Sequence, residues 1–342
     1  LIKIDLIALA RDLRVELPRN AKPRSRFDEE YSMRNAFTLS LGVALVVSAA
    51  GSAFAGTLTA STILQDFNAV VYQNASTQAD IEGAAVIGGN FSGATMYNNP
   101  TSSVPTGFGA LDVFGYTSGN SININNGGNA YVAGNEGATI NFNGGGSYIS
   151  APPNTITDFE TPLNALSQSL AQTAANSPTP TLGANNNNNI AFNAAPGSNG
   201  IAVFDITAAQ LSNISSFLIN LDGASTVVIN VSGTSVSDYA NDESGTTGAN
   251  NIIWNFYQAT SVTLGTQIGG TVLATGAAVT NDNQIDGALV AQSWNGNGEL
   301  HDWGFDGVLP TTSQPQTAVP EPGSLALLCV GIAVLGIVRR RR

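Results

Sequence analysis

Ile268-Gly269-Gly270-Thr271-Val272-Leu273-Ala274 is echoed by Ile285-Asp286-Gly287-Ala288-Leu289-Val290-Ala291, 17 residues further on. Each copy is an apolar residue, a turn glycine and a short apolar run. Ile81-Glu82-Gly83-Ala84-Ala85-Val86-Ile87 repeats the pattern, and Asn126-Gly127-Gly128-Asn129-Ala130-Tyr131-Val132-Ala133 is a weaker copy. A unit of this size cannot bury its apolar positions alone. Stacked units can share a thin continuous core, which predicts coils of a solenoid. Asn and Gly suit the corners because both tolerate positive φ. The spacing between copies is uneven, so the expected body is an irregular β-solenoid with large loops. A β-sandwich is the alternative.

Outward from the repeats, Val227-Val228-Ile229-Asn230-Val231, Ile252-Ile253-Trp254-Asn255-Phe256-Tyr257 and Val262-Thr263-Leu264 are short apolar or alternating runs bounded by Gly, Asn or Ser, as strands are. One segment breaks the β pattern. In Asp158 to Ala175, Phe159, Leu163, Leu166 and Leu170 fall on one helical face. Thr161-Pro162 suits a cap followed by proline at the first helical position. The expectation is a long amphipathic helix packed along the β body, with a shorter one starting at Thr207 and a capping box completed by Gln210. Residues 176–200, with Pro178, Pro180 and five consecutive Asn, and residues 240–251 read as mobile loops.

Charge is distributed unevenly. Eight of the 12 Lys and Arg lie in residues 1–34 and four are Arg339, Arg340, Arg341 and Arg342, so none occurs from Asn35 to Val338. That stretch holds 18 of the 24 acids. A nucleic-acid partner is excluded, because binding needs cations that displace counterions from phosphate. A nucleotide enzyme usually needs Lys or Arg against developing phosphate charge. The one cysteine, Cys329, rules out a disulfide-stapled body.

The two ends read as addresses built on apolar helical segments. Met33, Arg34, the apolar run Ala36 to Ala50 and the A-x-A site Ala53-Phe54-Ala55 form a secretory signal peptide over 33–55. Residues 1–32 are then an upstream extension outside the native protein. Gly56 to 310 is the β domain, 311–319 a linker rich in Ser, Thr, Gln and Pro, and 320–342 an anchor segment. The run Ser324 to Val338 would rise about 22 Å as a helix, short of a hydrocarbon core of about 30 Å. It would span the membrane with local thinning and snorkelling arginines that stay cytoplasmic.

Pro320-Glu321-Pro322, the short apolar helix and the terminal arginines resemble the PEP-CTERM sorting signal of Gram-negative bacteria. The resemblance implies recognition of Pro320, Glu321 and Pro322 by an exosortase-type enzyme in the inner membrane. Transfer to the outer surface or an exopolysaccharide matrix follows. The body resembles the choice-of-anchor A family. The stretches concerned are Ala79-Asp80-Ile81-Glu82-Gly83 with Gly88-Gly89-Asn90, Val228 to Thr234, Asn251 to Tyr257, Gly269 to Ala291 and Glu299-Leu300-His301-Asp302. That family implies a surface-exposed β-rich module with no catalytic residues to carry over. The closing repeats also resemble ice-binding β-solenoids with a packed helix.

Site chemistry is sparse. His301 is the single histidine, too few for a typical zinc or iron site. Asp238, Asp242 and Glu243 form an acidic loop that suits calcium as a cofactor. Trp254 reads as core. Trp294 and Trp303 flank Asn295-Gly296-Asn297-Gly298 and read as surface glycan contacts. The expected function is non-enzymatic: an exported surface or matrix adhesin with polysaccharide as partner. The alternatives are an ice-binding protein, which needs a flat row of Thr that Thr260, Thr263, Thr266, Thr271 and Thr280 do not display in their spacing, and a carbohydrate-active enzyme. Peptide or collagen binding also stays open.

Overall fold

The computed structural model describes residues 58–310 apart from 94, 97–103, 120 and 184–187. The apolar positions of the repeats form one inward row. Phe204 pairs in register with Ile229, Ile229 with Trp254, Trp254 with Val272, and Val272 with Leu289. Leu289 then pairs with Ala69, Ala69 with Ala85, Ala85 with Leu111, and Leu111 with Ala130. Strand pairing among the described residues is parallel throughout. The body is therefore the stacked-coil solenoid and not the sandwich. The repeats sit in register as their 17-residue offset demands, with Ile268 beside Ile285 and Ala274 beside Ala291. The turn glycine has a steric reason. A Cβ on Gly287 would fall 2.3 Å from the Gly270 carbonyl oxygen of the coil below, and Gly270 itself has φ +117°.

The coils do not stack in chain order. The described residues start in the middle of the solenoid, build outward to residue 149, and return along its side as a helix. The chain then rebuilds from the far end until Leu289–Gly296 reaches Ala69–Val71 and Ala75–Thr77. On a third strand column Ile81 bridges both Leu300 and Met96. Asn68 fastens this junction from inside. Its Nδ2 donates to the Gly287 and His301 carbonyls at 2.9 and 3.0 Å, and its Oδ1 accepts from the Gly83 N–H.

Each coil contributes strands to three columns. The first column carries two helices on its outer side, and a short third one meets the second column, its Leu211 in the interior cluster. Helix α1 is Ala60–Asp66, α2 is Ile156–Gln172 and the short α3 is Ala208–Leu211. Alternation splits the apolar residues cleanly. Phe204, Ile229 and Trp254 face the interior, whereas Val203, Val228, Ile253, Val290, Val70 and Val86 pack with Phe159, Leu163, Leu166 and Leu170 of α2. Phe67, Phe108 and Phe159 meet edge to face, with centroids 5.1 to 5.7 Å apart. The C-terminal half of α2 is held by polar groups. Asn255 Nδ2 donates to the Ser167 carbonyl, Ser167 Oγ donates to Asn255 Oδ1, and Asn230 Nδ2 donates to the Leu170 carbonyl.

Three sequence expectations need correction. The α2 start lies earlier than Thr161-Pro162. The Thr155 N–H and hydroxyl both donate to Asp158, and Pro162 sits inside the helix, where the Thr161 hydroxyl donates to the Thr157 carbonyl. The strong cap at Thr155 outweighs the cost of an early proline. Residues 176–200 contain the strand Asn188–Asn193, and Asn176 to Thr179 runs along the edge strand Ile201–Thr207. There Asn176 Nδ2 donates to the Ile201 carbonyl and the Val203 N–H donates to Asn176 Oδ1, so this segment covers an otherwise open sheet edge. Residues 240–251 carry the strand Asn241–Asp242 and a 3-10 turn at Ala249–Asn251. The capping box at Thr207 and Gln210 is present as expected.

The extension 1–32, the signal peptide with Ala53 and Ala55, the linker 311–319, the motif Pro320, Glu321, Pro322 and the arginines 339–342 lie outside the described residues. Among the described residues no helix is long and apolar enough to cross a membrane.

Candidate binding face

Among the described residues no helix lies along the outer side of the second strand column, and the short α3 stacks on its end against Ser235–Asp238. Its strands are Ser235–Asp238, Ser261–Leu264, the second halves of Thr271–Asn281 and Leu289–Gly296, then Ala75–Thr77, Phe91–Ser92 and Thr117–Ser118. The inward row is apolar for most of its length: Val236, Val262, Val279, Trp294, Ala75 and Phe91, ending at Thr117. Pleating sends every second residue out. The outward row is Ser237, Thr263, Thr280, Asn295, Ser76, Ser92 and Ser118, each in register with the next. A parallel row, Ser235, Ser261, Ala278 and Ser293, lies beside it. At about 4.8 Å per rung, seven rungs span about 29 Å. The two rows form an uncharged grid of hydroxyls, interrupted by the Asn295 amide and the Ala278 methyl, able to give and take hydrogen bonds at a fixed repeat.

This face was missed by the sequence reading because its rows join coils that are far apart in the chain. Thr263 and Thr280 do align. Thr271 is buried, and Thr260 and Thr266 spend their hydroxyls on the Thr234 and Ala240 carbonyls. The rest of the row is Ser and Asn, which a search for Thr alone passes over.

Trp294 is not a surface residue. Register places Asn295 outward and Trp294 inward, 3% exposed, with its Nε1 donating to Asn281 Oδ1 at 2.7 Å. Trp254 is core, as expected, and donates to the Gly269 carbonyl. Trp303 is 41% exposed and follows the third-column strand Leu300–His301, away from the open face.

The acidic trio does not converge as a calcium loop. Asp238 ends the strand Ser235–Asp238 and Asp242 the strand Asn241–Asp242, both buried, whereas Glu243 lies in the turn that follows and is exposed. Asp238 accepts from the Ala240 N–H, and Asp242 accepts from the N–H groups of Gly269 and Ser244. Burial pushes Asp238 up to about 6, against the Ala240 bond and with help from nearby Asp242. Among the described residues no group of three or more His, Cys, Asp and Glu side chains could hold a metal ion.

His301 is bonded across coils to Asp286 and, of its sequence neighbours Glu299, Asp302 and Asp306, to Glu299. Its Nδ1 lies 2.5 Å from buried Asp286 Oδ1 and its Nε2 lies 3.1 Å from Glu299. Gln267 donates to the other Asp286 oxygen. Burial pulls the His301 pKa down, but the bonds to Asp286 and Glu299 more than reverse this and raise it. Asp302 lies beside Glu82, and burial followed by the Glu82 charge brings its carboxyl up to about 6.

Residues 60–302 match the family model described as "Putative Ice-binding-like adhesive domain". The chain belongs to this ice-binding-like adhesive domain family. Residues 318–342 match the PEP-CTERM protein-sorting motif. A sorting motif of this kind, placed after an adhesive domain, marks an exported cell-surface protein. Among solved structures, the chain is similar to an ice-binding protein from the Antarctic ascomycete Antarctomyces psychrotrophicus. Identity is 20%, coverage is 70% of this chain and 95% of that one, and the TM-score is 0.29. No curated protein matches the sequence.

Proposed function

We propose that this adhesive-domain protein is a non-enzymatic matrix adhesin of a Gram-negative bacterium. An exosortase-type enzyme processes its tail at the inner membrane, and its open face then binds exopolysaccharide. The seven-rung outward row from Ser237 to Ser118 carries the proposal. A repeating hydroxyl and amide surface pairs with a repeating hydroxyl-rich ligand, and its lack of charge suits a neutral one. The sorting motif supports the route, and the resemblance to the choice-of-anchor A family supports surface display.

Ice is the second reading, favoured by the family and by the aligned pair Thr263 and Thr280. Ser and Asn at the other rungs lack the threonine methyl, which makes the row wetter and favours a polysaccharide. Sedimentation with the exopolysaccharide of the producing organism, run beside ice-shaping microscopy, separates the two. Saturable co-sedimentation without faceting supports the adhesin, and faceted crystals without co-sedimentation support ice.

A further inference from the structure

The alternation that sends Ser235 and Ser237 outward continues to Tyr239, at 64% the most exposed large apolar side chain among the described residues. An aromatic ring left this open costs hydration unless something covers it. The ring does not wave free. It lies across the next rung over Gly265, where a Cβ would fall 2.2 Å from both Tyr239 Cδ1 and Cε1. Any other residue at 265 would displace it. The Gly265 N–H donates to the Asp238 carbonyl at 2.8 Å, which fixes the rung beneath the ring.

The same line of the solenoid continues to Asp282, whose N–H donates to the Leu264 carbonyl, and to Asn297, whose N–H donates to the Asn281 carbonyl. Both side chains are exposed, and Asn297 Nδ2 lies 3.3 Å from Asp282 Oδ1. An aromatic ring, a carboxylate and a carboxamide thus border the open face in one row of four rungs, Gly265 being the second, about 14 Å long at the usual spacing. Beside them run Thr263, Thr280 and Asn295. A ligand that uses all three groups needs an apolar face for the ring and adjacent hydroxyls for the acid and the amide. A pyranose has both.

We infer that Tyr239, Asp282 and Asn297 form a sugar-binding site at the margin of the open face. The C–H face of a pyranose stacks on Tyr239, and its hydroxyls donate to Asp282 and accept from Asn297 and Thr280. The ligand is a neutral polysaccharide. A uronate would meet Asp282 in a body that has no Lys or Arg from Asn35 to Val338. The inference rests on the adhesin reading and names the sugar class and the anchoring residue of that face.

The test is affinity electrophoresis of the purified full-length chain through gels holding a soluble β-glucan, dextran or alginate. The expected result is retardation by a neutral glucan and none by alginate. Tyr239→Ala weakens the retardation at least tenfold and Tyr239→Phe keeps it. Gly265→Val weakens it as Tyr239→Ala does, and Trp303→Ala, an exposed aromatic beside the third strand column, leaves it unchanged. Circular dichroism checks that each variant folds. If Tyr239→Ala binds like the parent while Thr280→Lys does not, the Tyr239 site is wrong and the adhesive face stands. Equal retardation by alginate overturns the neutral class. No retardation in any gel overturns the neutral-glucan site, and the adhesin reading falls with it if the exopolysaccharide of the producing organism also fails to co-sediment.

Discussion

Leu289 lies in parallel register with Ala69, so a late coil of the solenoid is the immediate neighbour of the first. The fold is closed by a contact between residues 220 positions apart, and Asn68 is its fastening. Asn68→Ala removes the side-chain partner of the Gly287 carbonyl and the Gly83 N–H in a buried place, while the His301 carbonyl keeps the Trp303 N–H. The expected cost is about 3 kcal/mol. For a domain of this size that lowers Tm by about 6–12 °C, readable by differential scanning calorimetry.

The polar hold on α2 makes a second prediction. Ser167 and Asn255 exchange two hydrogen bonds below the helix, and Asn255 Nδ2 also lies 2.9 Å from Asn230 Oδ1. Ser167→Ala and Asn255→Ala should each destabilise the protein, and together by less than their sum. A double-mutant cycle in urea should give a coupling of about 1–2 kcal/mol. Leu163→Ala, in the apolar part of the same contact, should cost about 2–5 kcal/mol with no coupling to Asn255.

Stability should depend on pH in an unusual direction. Burial pushes Asp112 up to about 7, opposed by the Gly109 N–H that donates to both its oxygens, and Asp238 and Asp302 reach about 6. Their unfolded values lie near 4. Between pH 4 and 7 the folded chain therefore holds more protons than the unfolded chain, and stability falls as pH rises. His301, whose folded pKa is raised, adds the same sign: its stabilisation is present at low pH and lost as pH rises through the folded value. The urea midpoint should be higher at pH 5 than at pH 8. Asp112→Asn should remove about 2–4 kcal/mol of that difference, since an amide keeps the Gly109 bond without a charge to bury.

The sequence made the coil legible because the repeat is local: Ile268 to Ala274 and Ile285 to Ala291 are adjacent in the chain and in space. The face of α2 was legible because Phe159, Leu163, Leu166 and Leu170 obey the helical period. Coil order was not legible, since the pairing of Ala69 with Leu289 leaves no local mark. The candidate face was hidden for the same reason. Ser76 and Asn295 are register neighbours that no spacing connects. Trp294 was misread because a single residue of register decides which of Trp294 and Asn295 faces out.

The central claim is that the uncovered strand column is the binding surface. Its most direct test is co-sedimentation of the full-length chain with its own exopolysaccharide, comparing the parent with Thr263→Lys/Thr280→Lys. These two outward positions are adjacent rungs of the row and partly exposed, so the substitutions should leave circular dichroism unchanged. The account predicts saturable binding by the parent and at least a tenfold loss in the variant. Unchanged binding by a folded variant would contradict it and move the adhesive surface off this face.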